Sequence, residues 1–125
     1  MKYKYVLVVG SRTVTDENFI FNELDKICDS DTTIVSGGAS GVDTIAAKYA
    51  RLNHLNLKVI YADWYKYGRS AGFIRNEDMH KYISQFESRV CIAFWDGKSK
   101  GTQHSFSLAK KYNNPLITVE CQKMP

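Results

Sequence analysis

Apolar residues gather in this chain as short unbroken runs, separated by longer stretches in which they return every three or four positions. The runs are "KYVLVV" (4–9), "TTIV" (32–35), "LKVIY" (57–61), "RVCIAF" (89–94) and "PLITV" (115–119). The stretches between them read as helices. In 16–28 the inward residues are Ile20, Leu24, Ile27 and Cys28, with Thr15 placed as a cap. In 42–54 they are Ile45, Ala46, Tyr49 and Ala50, and in 71–86 they are Met79, Tyr82, Ile83 and Phe86. A further helix covers 101–112. Strands that are apolar on both faces belong to a parallel sheet with helices on either side. Right-handed crossovers leave few arrangements. The expectation is one α/β domain over 1–125, a three-layer Rossmann-like fold whose five-stranded, mostly parallel sheet runs in the order 3-2-1-4-5.

In such sheets a ligand lies beyond the carboxyl ends of the strands, near the point where strand order reverses. The chemically unusual residues collect there. "GSR" (10–12) follows strand 1, and "SGGASGVD" (36–43) follows strand 2. "ADWYKYGRSAGFIRN" (62–76) follows strand 3, and "WDGKSKGT" (95–102) follows strand 4. The helix-to-strand connections "DSD", "NLN", "ES" and "NN" are plain by comparison.

Gly37, Gly38 and Gly41 form a turn that feeds a helix, so free backbone N–H groups and the helix dipole point outward together, an arrangement that suits phosphate. Ser36 and Ser40 can add hydroxyl donors. A tight strand-to-helix turn without a ligand explains the same glycines equally well. Asp43 would repel a phosphate set on that helix, so it either caps the first turn or faces the sugar or base of a ligand. Gly97 and Gly101 bracket a second such turn that opens at Thr102, where Asp96 either holds the loop or meets a ribose, and Lys98 and Lys100 are read as solvated.

Counting back from Met79 by three and four places Gly72, Arg75 and Asn76 on the buried stripe of the third helix. An inward arginine and asparagine need partners, because burying them bare costs several kcal/mol. Protein groups such as Asp63 or Asp96, or a ligand, can satisfy them; Arg75 is read as facing a ligand, since its planar fork suits phosphate. Arg12, just past strand 1, has a similar position. Trp64, Tyr65 and Tyr67 in the third loop either stack on a base or plug the sheet edge. His54 and His80 read as exposed helix positions, and His104, in the first turn of the last helix near the site, is an acid–base candidate.

The composition changes little. The net charge of +4 arises entirely in residues 63–125, where ten Lys/Arg face six Asp/Glu, which weakly favours an anionic partner. Three widely spaced cysteines carry neither a disulfide framework nor a zinc pattern, so no metal is expected. The apolar run in "MKYKYVLVVGS" is too short for a signal peptide, and no run approaches the ~20 residues of a membrane span. A cytoplasmic protein without a membrane partner is expected.

The four motifs, in order and spacing, resemble the YspA-type branch of the SLOG superfamily over residues 4 to about 119. That superfamily is similar in fold to the Lonely-guy and lysine-decarboxylase-like proteins and to the DNA-processing protein A. The resemblance implies a Rossmann-like fold and a site for a nucleotide or nucleotide-derived ligand. It places Gly10, Ser11, Arg12, Ser36, Gly37, Gly38, Asp43, Arg75, Asn76, Gly101 and Thr102 at or near that site, and small domains of this type often pair as homodimers. Lonely-guy proteins cleave the N-glycosidic bond of nucleoside monophosphates with the last residue of PGGxGTxxE. Here the glutamate position is Ser105, and a hydroxyl cannot stabilise a developing ribosyl cation as a carboxylate does.

Three functions follow as expectations. The first is binding or sensing of a nucleotide or nucleotide-derived phosphorylated molecule by Gly10, Ser11, Arg12, Ser36, Gly37, Gly38, Gly41, Asp43, Asp63, Trp64, Arg75, Asn76, Asp96, Gly97, Gly101 and Thr102, with no cofactor required beyond that nucleotide. The second is hydrolysis of a nucleotide's N-glycosidic or phosphate bond, with Asp43 and Asp63 as carboxylates and Arg75 as clamp. The third, ranked last, is binding of single-stranded nucleic acid, for which the chain lacks a basic stripe interleaved with aromatics.

Overall fold

The computed structural model describes residues 1–121. The five strands are β1 (Tyr5–Gly10), β2 (Thr33–Ser36), β3 (Asn56–Val59), β4 (Arg89–Trp95) and β5 (Leu116–Glu120). All pair in parallel in the order β3-β2-β1-β4-β5, as the apolar runs predict. Order reverses between β1, which pairs with β2 on one side and β4 on the other, so the crevice opens at the ends of β1 and β4.

The core lies in two layers because side chains of a strand point alternately to the two faces. Val6, Val8, Ile34, Ile92 and Phe94 pack under α1 (Glu17–Asp25) and α2 (Val42–Leu52), against Ile20, Leu24, Ala46 and Tyr49. Leu7, Val9, Val35, Cys91 and Ala93 face Met79 and Ile83 of α4 (Ala71–Ser84) on the other side. There α5 (Lys100–Lys111) packs beside α4. The central strands β1 and β4 are buried on both faces, whereas the edge strands β3 and β5 alternate between half-buried and exposed.

Three local features differ from the expectations. Asp16, not Thr15, caps α1, accepting from the Phe19 N–H at 3.1 Å. The third loop is not irregular. Trp64–Tyr67 form the short helix α3, followed by a 3-10 turn at Gly68–Ser70, which runs into α4. Asp63 caps α3 by accepting from the Lys66 N–H at 3.0 Å, a local task that a four-residue helix cannot announce by periodicity. Finally, His80 is fully buried rather than exposed, while His54 is exposed as expected and takes φ 56° just past α2. Cys28 and Cys91 are buried free thiols, and Cys121 is half-buried.

Candidate functional site

Two adjoining cavities open at the carboxyl rim of the sheet. The inner one, about 400 Å³, is bounded by Gly10 at the end of β1, by Asp43 of α2, by Met79 of α4, and by Asp96, Ser99, Thr102 and Ser105 around the start of α5. The outer one, about 560 Å³, is bounded by the Gly37–Ser40 turn, by Tyr61 and Trp64, and by Arg69, Gly72 and Phe73. Arg12, Ala39, Arg75, Asn76 and Gly101 line both.

Arg75 stands on the divide. Its Nη1 donates to the Gly37 carbonyl at 2.5 Å, and its Nε donates to Asn76 Oδ1 at 3.0 Å. These two bonds fix the guanidinium on the wall shared by the cavities and leave Nη2 without a hydrogen-bond partner among the described residues. Neither Arg75 nor Arg12 has a salt bridge among the described residues. Partial burial lowers the Arg75 pKa, the Asp43 charge opposes this, and the nearby Arg12 lowers it further. The candidate protein partners Asp63 and Asp96 are thus replaced by a backbone carbonyl, a neighbouring amide and the field of Asp43. Two like charges thus share one wall with no salt bridge to a carboxylate, an arrangement that a bound anion would relieve.

The glycine turn after β2 is built around these groups. A Cβ at Gly37 would stand 2.7 Å from Arg75 Nη1, so the missing side chain is what lets the guanidinium reach the main chain. Gly41 has φ 82°, and a Cβ there would also meet the Arg12 backbone at 3.0 Å. Asp43 is buried and bends back under the turn, where its Oδ2 accepts from the Ala39 N–H at 3.1 Å. Burial pushes its carboxyl pKa up, against the pull of that bond and of Arg75. The buried Ser36 hydroxyl donates to the Asp43 carbonyl at 3.2 Å. Replacing Gly37 by alanine should displace the Arg75 side chain from Cδ outward, costing about 1 kcal/mol of stability. The lost charge-assisted bond should cost roughly 10-fold in anion affinity. Denaturant titration and calorimetry on Gly37→Ala read the two effects separately.

The second turn is held by Asp96. Its Oδ1 accepts from the Lys98 and Ser99 N–H groups at 2.9 and 2.8 Å, and its Oδ2 from Thr13 Oγ1 at 2.8 Å. These donors hold its pKa well below the usual carboxylate range. The buried Ser11 hydroxyl accepts from the Asp96 N–H at 3.1 Å, tying the end of β1 to the end of β4. Ser99 caps α5, accepting from the Thr102 N–H at 3.4 Å.

Of the residues expected at the site, Gly10, Asp43, Asp96 and Thr102 line the inner cavity. Gly37, Gly38 and Trp64 line the outer one, and Arg12, Arg75, Asn76 and Gly101 line both. Ser11, Ser36 and Gly41 line neither cavity; the two serines act through the bonds above and Gly41 through its close approach to the Arg12 backbone. Asp63 and Gly97 line neither cavity, so the carboxylate pair Asp43–Asp63 does not meet in one place. Sequence reasoning missed Tyr61, Arg69 and Phe73 as lining residues. Tyr61 sits two positions past β3, and Phe73 lies three before Asn76 on the same helix. Both placements were signals of position rather than of residue type. Ser105, met in the sequence only as a departure from a catalytic pattern, is 1% exposed, lines the inner cavity, and its Oγ has no partner among the described residues.

A parallel five-stranded sheet flanked by helices on both faces, with a cleft at its switch point, defines a Rossmann-like α/β domain. Residues 5–67 match the YspA, cpYpsA-related SLOG family. The chain is 35% identical over 120 residues to the gene 61 protein of Mycobacterium phage D29, covering 90% of this chain and 93% of that one. The chain therefore belongs to the YspA, cpYpsA-related SLOG family. Its fold is similar to that of DNA processing protein A from Streptococcus pneumoniae, with a TM-score of 0.62 and 17% identity over 98% of this chain. The chain spans about half of that structure, 52%, and the likeness is one of fold. No helix among the described residues is long and apolar enough to cross a membrane.

Proposed function

We propose that this domain binds a phosphorylated nucleoside or nucleotide-derived molecule in the double cavity, as a sensing or regulatory unit. The observation that carries the reading is Arg75, half-buried, fixed by Gly37 and Asn76, and lining both cavities beside Arg12 with no salt bridge to a carboxylate among the described residues. A bound phosphate would supply the missing counter-charge and bidentate acceptor. Membership of a SLOG family agrees with a nucleotide-related role.

Binding is favoured over hydrolysis because the carboxylates are already engaged, Asp43 by the Ala39 N–H. Asp96 is occupied by its own loop, Asp63 caps α3, and Ser105 carries no charge. Asp43 therefore has no free carboxylate beside it to share the work of hydrolysis.

A nucleotide panel read by thermal unfolding tests the reading. At about 100 times its Kd, a ligand should add about 2.7 kcal/mol, or roughly 10 °C for a chain of this length. A panel of mono-, di- and triphosphates and nucleotide conjugates that leaves the melting temperature unmoved would remove the proposal. Chromatography of the same mixtures separates binding from turnover. Product that disappears in Asp43→Asn would move the reading to hydrolysis.

A further inference from the structure

The two cavities differ in charge and lining, and this difference goes beyond the presence of a nucleotide site, on which it rests. The inner cavity is lined by two arginines and two carboxylates, Arg12, Arg75, Asp43 and Asp96, so its charges balance. The outer cavity is lined by Arg12, Arg69 and Arg75 and by no carboxylate. It also carries three aromatic side chains that are largely open to solvent: Tyr61 at 73% exposure, Trp64 at 57% and Phe73 at 49%. Exposed aromatics on a cationic wall suit a stacked base with its phosphates, since a π-face accepts any base and arginine pairs with phosphate.

The inner cavity suits something else. A second phosphate there would face Asp43 and Asp96. A neutral hydroxylated group would find both donors and acceptors. The clearest of these is the Ser105 hydroxyl, buried, unpartnered, and part of the cavity wall. A buried hydroxyl left unbonded is costly, and a ligand hydroxyl at that place removes the cost. Thr102 and Asn76 stand on the same wall, and Asp43 is a carboxylate acceptor for sugar hydroxyls. Gly101 lines both cavities, and an added Cβ there would meet no atom within 4 Å.

We infer that the ligand is two-headed: a nucleoside diphosphate joined to a second hydroxylated group. The base lies in the outer cavity against Trp64 and Tyr61, the diphosphate crosses the divide on Arg12 and Arg75, and the second group enters the inner cavity and bonds Ser105. A plain nucleoside diphosphate fills only the outer half.

Matched pairs test this by calorimetry: ADP with ADP-ribose, GDP with GDP-mannose, and UDP with UDP-glucose. For the base that binds, the conjugate should bind about 10-fold more tightly than the plain diphosphate, the effect of one or two new hydrogen bonds. Ser105→Ala should remove most of that preference and leave the diphosphate's affinity unchanged. Because the Ser105 hydroxyl has no internal partner, the variant should fold as the wild type does. Trp64→Ala, at an exposed position, should weaken both members of the pair by roughly 10-fold. Equal affinity within every pair, or a Ser105→Ala effect of equal size on both members, overturns the two-headed assignment while leaving a nucleotide site standing. Absence of binding by all six compounds overturns both.

Discussion

Arg75→Gln is expected to lower affinity for the proposed nucleoside diphosphate on the order of 100-fold, while the protein still folds. Hydrogen bonds to charged groups are worth about 1.5–3 kcal/mol each, and a phosphate on Arg75 would lose one or two of them. The effect on the fold is smaller because two terms oppose each other. The variant gives up the bonds to Gly37 and Asn76, but it also gives up the desolvation of a half-buried guanidinium. Arg75→Lys keeps the charge and loses the fork, since a single ammonium cannot hold the Gly37 carbonyl and a bidentate phosphate together. It should fall between wild type and glutamine. A second signature separates loss of Arg75 from general damage. The Arg75 charge pulls the Asp43 pKa down against burial. In Arg75→Gln that carboxyl should titrate higher than in the wild type, as NMR of the Asp43 carboxyl would report. Wild-type affinity in Arg75→Gln, measured by calorimetry, would show that the ligand's anion lies elsewhere.

Much of this arrangement was legible in the sequence because it rests on period and place. Unbroken apolar runs predict central strands buried on both faces, and Val6, Leu7 and Val8 of β1 and Val90, Cys91, Ala93 and Phe94 of β4 bear that out at 0% exposure. The three-and-four spacing from Met79 put Arg75 and Asn76 inward, where they lie. What stayed hidden was who satisfies them. The Arg75 acceptor is a backbone carbonyl 38 residues away, and a carbonyl leaves no mark in a sequence. The polar type of a residue also misled where spacing would have served. His80 lies four after Asn76 and three before Ile83, so the argument that turned Asn76 inward applies to it as well. Its partner is Asn114, in the turn before β5, and that long-range pairing makes a buried imidazole tolerable. Similarly, Asp63 and Asp96 resemble each other in their loops, but one caps a four-residue helix and the other gathers the turn after β4.

His80 is also where acid should open the fold. The Asn114 amide nitrogen donates to His80 Nδ1 at 3.1 Å and to the His80 carbonyl at 3.1 Å, while Asn114 Oδ1 accepts from Arg89 Nε at 2.6 Å. The amide is thereby oriented, and Nδ1 must be the acceptor. The proton sits on Nε2, with Cys91 Sγ 4.0 Å away. A second proton on Nδ1 would face an N–H donor in a site closed to water. Burial first, and the nearby His104 second, lower the His80 pKa from 6.5 to about 4. The sign follows directly: below pH 6.5 the unfolded chain takes up a proton that the folded chain refuses. Stability is therefore full above pH 6.5 and is lost as pH falls towards 4. A difference of this size is worth about 3 kcal/mol, a large part of a small domain's stability. Asp43, with its raised pKa, acts in the opposite sense over the acid end of this window, and Glu77, with its lowered one, acts in the same sense. Both are present in a His80→Gln variant, so the difference between the two proteins isolates the imidazole. Urea unfolding from pH 8 to 4 should show the wild type losing about 3 kcal/mol relative to His80→Gln across that range. The glutamine protein should begin less stable and change less with pH. Parallel curves would mean that His80 is protonated inside the folded protein, and the Asn114 amide would then have to be turned the other way.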